Sequence, residues 1–177
     1  MKWSYGIRYN NRKVPLRNGA YFVALESQSR MPQDPRPRKI GVVGVIAREN
    51  KLLVIQRSQH VRSPGKFCFP GGAMEPGETE EQTLLRELRE ELGVNVTPRR
   101  LLQRTVTSWS VDLRWWQAEL HTSEQITHDP GEVEAWHWMS VAEILAQREL
   151  LESNRHFLAA WHNAQFEIDG LIRSATH

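Results

Sequence analysis

One stretch, Gly72 to Val94, reading GAMEPGETEEQTLLRELREELGV, constrains this chain more than any other. A Gly-rich turn leads into a helical pattern that carries Glu87, Glu90 and Glu91. At about 100° per residue these carboxylates share one face, because positions i, i+3 and i+4 are neighbours on a helix. Leu84, Leu85, Leu88 and Leu92 centre about 120° further round, so one side faces a core while another gathers acid. Like charges at this spacing repel and raise one another's pKa unless a cation sits among them. Hard divalent ions such as Mg²⁺ favour such oxygens and share them with substrate phosphates. Thr79 through Gln82 fits a capping box, Glu80 and Glu81 suit the first turn, and Gly93 suits a left-handed cap. A solvated amphipathic helix is the competing reading. The Pro70-Gly71-Gly72 turn before it and the Gly77-Glu78 interruption favour a metal site.

The segment resembles the Nudix box, G-x5-E-x7-R-E-U-x-E-E-x-G-U with U an aliphatic residue. Gly72, Glu78, Arg86, Glu87, Leu88, Glu90, Glu91, Gly93 and Val94 fill every defined position. The resemblance implies an α/β (α+β) chain folded as a Nudix-type α/β/α sandwich on a mixed β-sheet. It implies a hydrolase in which water attacks a phosphorus of a pyrophosphate linkage in a nucleoside diphosphate derivative. By matching positions, Glu87, Glu90 and Glu91 would ligate Mg²⁺, or Mn²⁺ in its place, with a peptide carbonyl of Gly71 aimed at the same ion. Glu87 is a candidate base, although family members differ on which carboxylate takes the proton. Arg86 would orient a box glutamate and Glu78 would steady the loop, while Gly72 and Gly93 shape the backbone.

Outside the box, three residues resemble the MutT-like branch by position. Arg57 closes a strand thirteen residues before Pro70, where that branch has a phosphate-binding arginine. Glu132 lies six residues before Trp138, where it has another metal-binding glutamate, with Glu134 a nearby competitor. Asn154 resembles an asparagine that reads a purine base, and its amide suits that task; Ser153-Asn154 equally suits a helix N-cap. The implied substrate is a nucleoside triphosphate or its oxidised form, cleaved to a nucleoside monophosphate and pyrophosphate. Coenzyme A, ADP-ribose and dinucleoside polyphosphates are alternatives, and a non-catalytic nucleotide-binding module is an alternative of another class. The loops Ser58 to Lys66 and Thr122 to Gly131 are expected to decide among substrates. Of the tryptophans, Trp109, Trp115, Trp116, Trp136 and Trp138 are weighed for base stacking against core packing, Trp115 and Trp116 necessarily pointing to opposite faces.

The 177 residues suit one globular domain, 39–177, preceded by an N-terminal extension and linker over 1–38 that leaves room for a homodimer contact. A net charge of +2 gives no general affinity for nucleic acid. No apolar run approaches the roughly 20 residues that span a membrane. The start, MKWSYGIRYNNRK, lacks the apolar core of a signal peptide. Cys68 is the only cysteine, which excludes an intrachain disulfide and fits a cytoplasmic chain. Flanked by Phe67 and Phe69, it reads as a buried structural thiol. IGVVGVIA and KLLVIQR, separated by Arg48-Glu49-Asn50, read as a hairpin, with Gly44 marking a bulge or close contact. Further strands are expected over Ala20–Leu25, Phe67–Phe69, Arg99–Ser108, Val111–Leu120 and Glu132–Met139. Helices are expected from the capping box Ser140–Glu143 to about Arg148, and over Asn154–Ala164.

Overall fold

The computed structural model describes residues 10–15, 21–26, 39–121 and 123–173. The chain divides into two compact units, 1–37 and 38–177. In the first, β1 (Asn10–Pro15) and β2 (Tyr21–Glu26) pair antiparallel, with Asn10 opposite Glu26. The weak alternation over 3–9 and the Pro- and Arg-rich segment 31–38 lie outside the described residues.

The second unit runs β3 (Ile40–Val45), β4 (Ala47–Arg48), β5 (Lys51–Arg57), β6 (Phe67–Cys68), β7 (Gly71–Ala73), α1 (Glu80–Leu92), β8 (Val96–Val106), β9 (Asp112–Leu120), β10 (Val133–Met139), α2 (Val141–Ala146) and α3 (Glu152–His162). One sheet has the order β7-β3-β9-β8, in which β3 runs parallel to β9 and its other pairings are antiparallel. The other has β5 between β10 and β4, with β6 also paired to β5.

Strand alternation makes both faces of these sheets apolar. On β5, Leu53 and Ile55 join the core beneath α1, while Leu52 and Val54 join the core beneath α2 and α3. Trp115 and Trp116 part in the same way, Trp115 onto Phe157 of α3 and Trp116 toward the α1 side. Helices therefore cover both faces, which is the expected α/β/α sandwich with a mixed sheet.

The hairpin between the first two apolar runs is only partly formed. Glu49 and Asn50 both take positive φ, at 50° and 58°, as a type I′ turn requires. Yet on the first arm only Ala47 and Arg48 form a ladder with β5, extended by one bond from the Leu53 N–H to the Ile46 carbonyl. Upstream, β3 has no edge left to offer. Gly41 to Val43 pair with β7, Gly44 N–H donates to the Pro70 carbonyl, and β9 occupies the other side.

Strand β8 begins earlier than expected because Pro98 sits on an edge strand beside a bulge, where its missing donor is harmless. Helix α2 stops at Ala146, short of Arg148, and α3 begins at Glu152 with Leu151 at its N-cap. Among the described residues, no helix is long and apolar enough to cross a membrane.

Helix α1 is fixed at several points. Both arms of the Thr79–Gln82 capping box form, and Gly93 closes the helix at φ 66°. Its leucines cross β3 at Gly44, where a Cβ would come within 3.1 Å of Leu84 and Leu88. Glu80 in the first turn accepts from Trp116 Nε1 at 2.8 Å and Arg114 Nε at 3.0 Å, clamping the helix start to β9.

Candidate active site

The acidic face of α1 meets the Gly71-Gly72 turn because neither glycine carries a side chain. A Cβ on Gly72 would lie 2.3 Å from a Glu87 carboxylate oxygen. Gly71 has φ 137°, and a Cβ there would meet the Val42 carbonyl at 2.2 Å. The Gly71 N–H donates to Glu91 Oε2 at 2.7 Å, which ties this turn to the acidic face.

Arg86 organises the remaining carboxylates. Its Nε and Nη2 grip Glu78 at 2.7 and 3.0 Å. Its Nη1 donates to Glu87 at 2.9 Å and to Glu90 at 3.0 Å, and Nη2 also reaches the Ala73 carbonyl at 3.0 Å. One planar guanidinium thus joins the turn, the loop and the helix, as its fixed fork permits. Glu78 is held down to about 2, chiefly by Arg86, and further by the Glu75 N–H and the Thr83 hydroxyl.

Glu91 is 4% exposed. Burial pushes its carboxyl up to about 8, opposed by the Gly71 N–H; the charges of Glu87 and Glu132 raise it further, and that of Arg57 lowers it. Burial also raises Glu87, against the opposing hydrogen bond and charge of Arg86, with Glu90 and Glu132 adding to the rise. Glu132 therefore stands within electrostatic reach of both helix carboxylates. Glu134 instead is exposed, at the irregularity in the β10–β5 register.

The segment before Glu132 is built onto the end of α1. Thr127 N–H donates to the Leu92 carbonyl at 2.9 Å and Asp129 N–H to the Glu91 carbonyl at 3.1 Å, satisfying groups the helix leaves open. Gly93 belongs to this docking, since a Cβ there would lie 2.8 Å from the Thr127 carbonyl. Ser58, 1% exposed, holds the other side of the segment through the Gly131 and Glu132 carbonyls. Sequence reasoning does not find Ser58, because nothing in its neighbourhood signals a partner 73 residues away.

Arg57 ends β5 opposite Val133, next to Glu132. Its Nε donates to the Arg62 carbonyl at 2.7 Å and its Nη1 reaches Cys68 Sγ at 4.0 Å. Cys68 is buried, which together with the charge of Glu91 pushes its thiol up to about 12 against the opposing influence of Arg57. It is an inert thiol, as expected.

A cleft of about 730 Å³ opens beside Gly71 and Gly72 and is lined by Arg57, Arg62, Asn154 and Trp109 among others. Its rim includes Thr105 to Trp109, from the end of β8 into the turn before β9. Of the two loops expected to decide among substrates, Ser58 to Lys66 lends Arg62 and Ser63 to the cleft, whereas 123–131 does not line it and packs on the end of α1. Asn154 lies inside α3, 3% exposed, and accepts from the Phe69 N–H at 2.8 Å; it caps nothing. Trp115 is buried and Trp116 bonded to Glu80, whereas Trp109 is 87% exposed at the cleft.

Among the described residues, no group of three or more His, Cys, Asp or Glu side chains is gathered as a formed metal cluster. The donor set nevertheless fits a hard divalent ion. Glu87 and Glu90 converge on one cationic nitrogen of Arg86, and Glu87 and Glu91 carry raised pKa values that nearby positive charge would relieve.

Comparison with known proteins agrees with this geometry. The chain matches the NUDIX domain over residues 35–161. It is 36% identical to a CTP pyrophosphohydrolase of Escherichia coli over 108 residues, 59% of this chain and 77% of that protein. It is 33% identical to an 8-oxo-dGTP diphosphatase of the same organism over 113 residues, 59% of this chain and 81% of that protein. Nudix hydrolase 3 of Caenorhabditis elegans is 54% identical over 57 residues, 32% of this chain, which spans 23% of that protein's length. The fold matches that of a MutT protein from Methanosarcina mazei with a TM-score of 0.64 at 21% identity, covering 75% of this chain and 99% of that one. An intact box on an α/β/α sandwich, together with a family match across most of the chain, means that the chain belongs to the NUDIX family, as a MutT-like member.

Proposed function

We propose that this chain is a Mg²⁺-dependent pyrophosphohydrolase that cleaves a nucleoside triphosphate, normal or oxidised, to a nucleoside monophosphate and pyrophosphate. The observation that carries the reading is one of placement. Glu87 and Glu91 of α1 lie against the Gly71-Gly72 turn with Glu132 within electrostatic reach of both, and the same turn lines a cleft that reaches Asn154 and Trp109. A phosphate chain at the turn and a nucleoside in the cleft fit this arrangement.

Glu87, Glu90, Glu91 and Glu132 would hold the ion. When bound, a divalent ion neutralises phosphate oxygens and acidifies water. The chain's own residues do the rest. Arg57 lies on the cleft wall beside Glu91 and would bind phosphate oxygen. Arg86 keeps Glu87 and Glu90 in register with the loop. Water adds to phosphorus as the bridging P–O bond breaks, and the proton it gives up passes to a carboxylate of this face. Glu87 is the favoured acceptor: it is largely buried, its pKa is raised and Arg86 orients it. Asn154 and Trp109 would contact the base, consistent with the nucleotide names of the bacterial relatives.

The test is chromatographic product analysis of a panel of nucleoside triphosphates, 8-oxo-dGTP, ADP-ribose, dinucleoside polyphosphates and coenzyme A, with Mg²⁺ and with EDTA, in which a triphosphate gives a monophosphate and pyrophosphate and ADP-ribose or coenzyme A gives two phosphomonoesters. Metal-dependent release from a triphosphate, lost in Glu91→Gln, supports the reading. Binding without turnover of any member would instead make the chain a nucleotide-binding module.

A further inference from the structure

We infer that Ser58 is a positioning residue that sets Glu132 against the acidic face of α1. The inference rests on the proposed role of Glu132 as a metal-holding carboxylate. Ser58 is 1% exposed, and its two donors go to consecutive peptide carbonyls across the fold. Its Oγ donates to the Gly131 carbonyl at 2.6 Å, and its N–H donates to the Glu132 carbonyl at 2.9 Å. The same Oγ accepts from the His60 N–H at 3.2 Å, so the hydroxyl is oriented before it reaches Gly131.

The segment it grips is restrained on its far side as well. Thr127 and Asp129 are bonded to the last carbonyls of α1, and Asp129 turns the chain by accepting from Gly131, Glu132 and Val133. Without the Ser58 hydroxyl, the stretch between Asp129 and Val133 keeps its helix end, the residue-58 N–H on the Glu132 carbonyl and the Val133–Arg57 pairing, and loses the one bond that fixes the Gly131 carbonyl. Gly131, with no side chain to anchor it, then passes the slack to Glu132. Ser58 also follows Arg57 directly, so one strand end would bind phosphate and place a carboxylate. An alanine at 58 would remove the hydroxyl and leave the Gly131 carbonyl without this donor. Partners that orient metal-holding groups typically change metal affinity or activity by about 10- to 100-fold when removed.

The experiment is a double-mutant cycle on the full chain with Ser58→Ala, Glu132→Gln and the pair. Mn²⁺ binding is read by electron paramagnetic resonance, and kcat and KM come from pyrophosphate release. Ser58→Ala is expected to weaken Mn²⁺ binding and lower kcat by about 10-fold or more with KM little changed. In the Glu132→Gln background the same change should do almost nothing further. Ser58→Cys, close in size and a weaker donor, should fall between and serves as the probe if the alanine variant does not fold.

Equal loss from Ser58→Ala in both backgrounds would reduce Ser58 to general packing and overturn the inference. Wild-type Mn²⁺ affinity in Ser58→Ala, or in Glu132→Gln, would overturn it too while leaving the proposed hydrolase intact. A wild-type chain that releases no pyrophosphate defeats the proposed function, and the Mn²⁺ cycle still judges Ser58 on its own.

Discussion

The N–H of Gly71 and the carboxylate of Glu91 are 2.7 Å apart, joining the turn before α1 to a nearly buried acid on its far end. The next residue, Gly72, leaves space for Glu87. Adjacent glycines therefore serve different carboxylates, and alanine should separate their roles. At Gly71 an added Cβ meets backbone at 2.2 Å in a left-handed conformation, so Gly71→Ala should destabilise the fold by about 2 kcal/mol or more. At Gly72 the nearest atoms to the Cβ are those of the Glu87 carboxylate, a side-chain end and not backbone. Gly72→Ala should keep its melting temperature within a few degrees while turnover falls about 100-fold, comparable to losing one transition-state contact. Thermal unfolding alongside pyrophosphate release checks both, and equal melting points for the two variants would sink the distinction.

The buried acids make stability depend on pH in a defined direction. Glu91 rises from 4.5 to about 8 on folding, and Glu87 shifts the same way. A raised carboxylate pKa gives stability that is full below the unfolded value and lost as pH rises through the folded one. In EDTA, the melting temperature should fall between pH 5 and 8. Glu78 has the opposite sign but a lower window, its contribution being lost as pH falls toward about 2. Mg²⁺ should raise the melting temperature more at pH 8 than at pH 5, since bound cation favours the ionised acids. Glu91→Gln should flatten the slope in EDTA. An unchanged slope would show that Glu91 is ionised in the folded chain.

Arg86 is irreplaceable by lysine on geometric grounds. Its fork holds Glu78 by two bonds while reaching Glu87, Glu90 and the Ala73 carbonyl. An ammonium is a point charge and cannot span those acceptors. Arg86→Lys should weaken Mn²⁺ binding and turnover by about 10- to 100-fold. Glu78→Gln should move both the same way, by less, because it loosens Arg86 without altering the acidic face. Calorimetric titration with Mn²⁺ reads the difference, and wild-type affinity in Arg86→Lys would contradict it.

How much of this was legible beforehand follows from the range of each interaction. Helix α1 was readable because its period, its capping box and Gly93 are local. The fate of β3 was not, since its edges are taken by β7 and β9, which lie far along the chain. Asn154 resembled a cap because Ser-Asn is a common helix start, but α3 begins two residues earlier and buries it against Phe69. Ser58 looked like an ordinary loop polar residue, its meaning lying wholly in Gly131 and Glu132. The tryptophans could be sorted only by burial, which depends on which strand face meets a helix.

That sorting leads to a prediction about selectivity. Trp109 stays 87% exposed on the rim of the cleft, in a turn closed by hydrogen bonds between Thr107 and both Ser110 and Val111. Val106, beside it, is also exposed and lines the cleft. Stacking of a base on an aromatic ring is worth about 1–3 kcal/mol. Trp109→Ala should therefore raise KM for the preferred nucleotide by about 5- to 100-fold with kcat nearly unchanged, and Trp109→Phe should restore most of it. Asn154 calls for a different substitution, because Asn154→Ala would strand the Phe69 N–H. Asn154→Asp keeps that acceptor and removes the amide donor, so it should alter the preference among bases, while the added charge at a site 3% exposed should also lower the melting temperature. If both variants process every nucleotide as the wild type does, the base lies elsewhere and the cleft is not its seat.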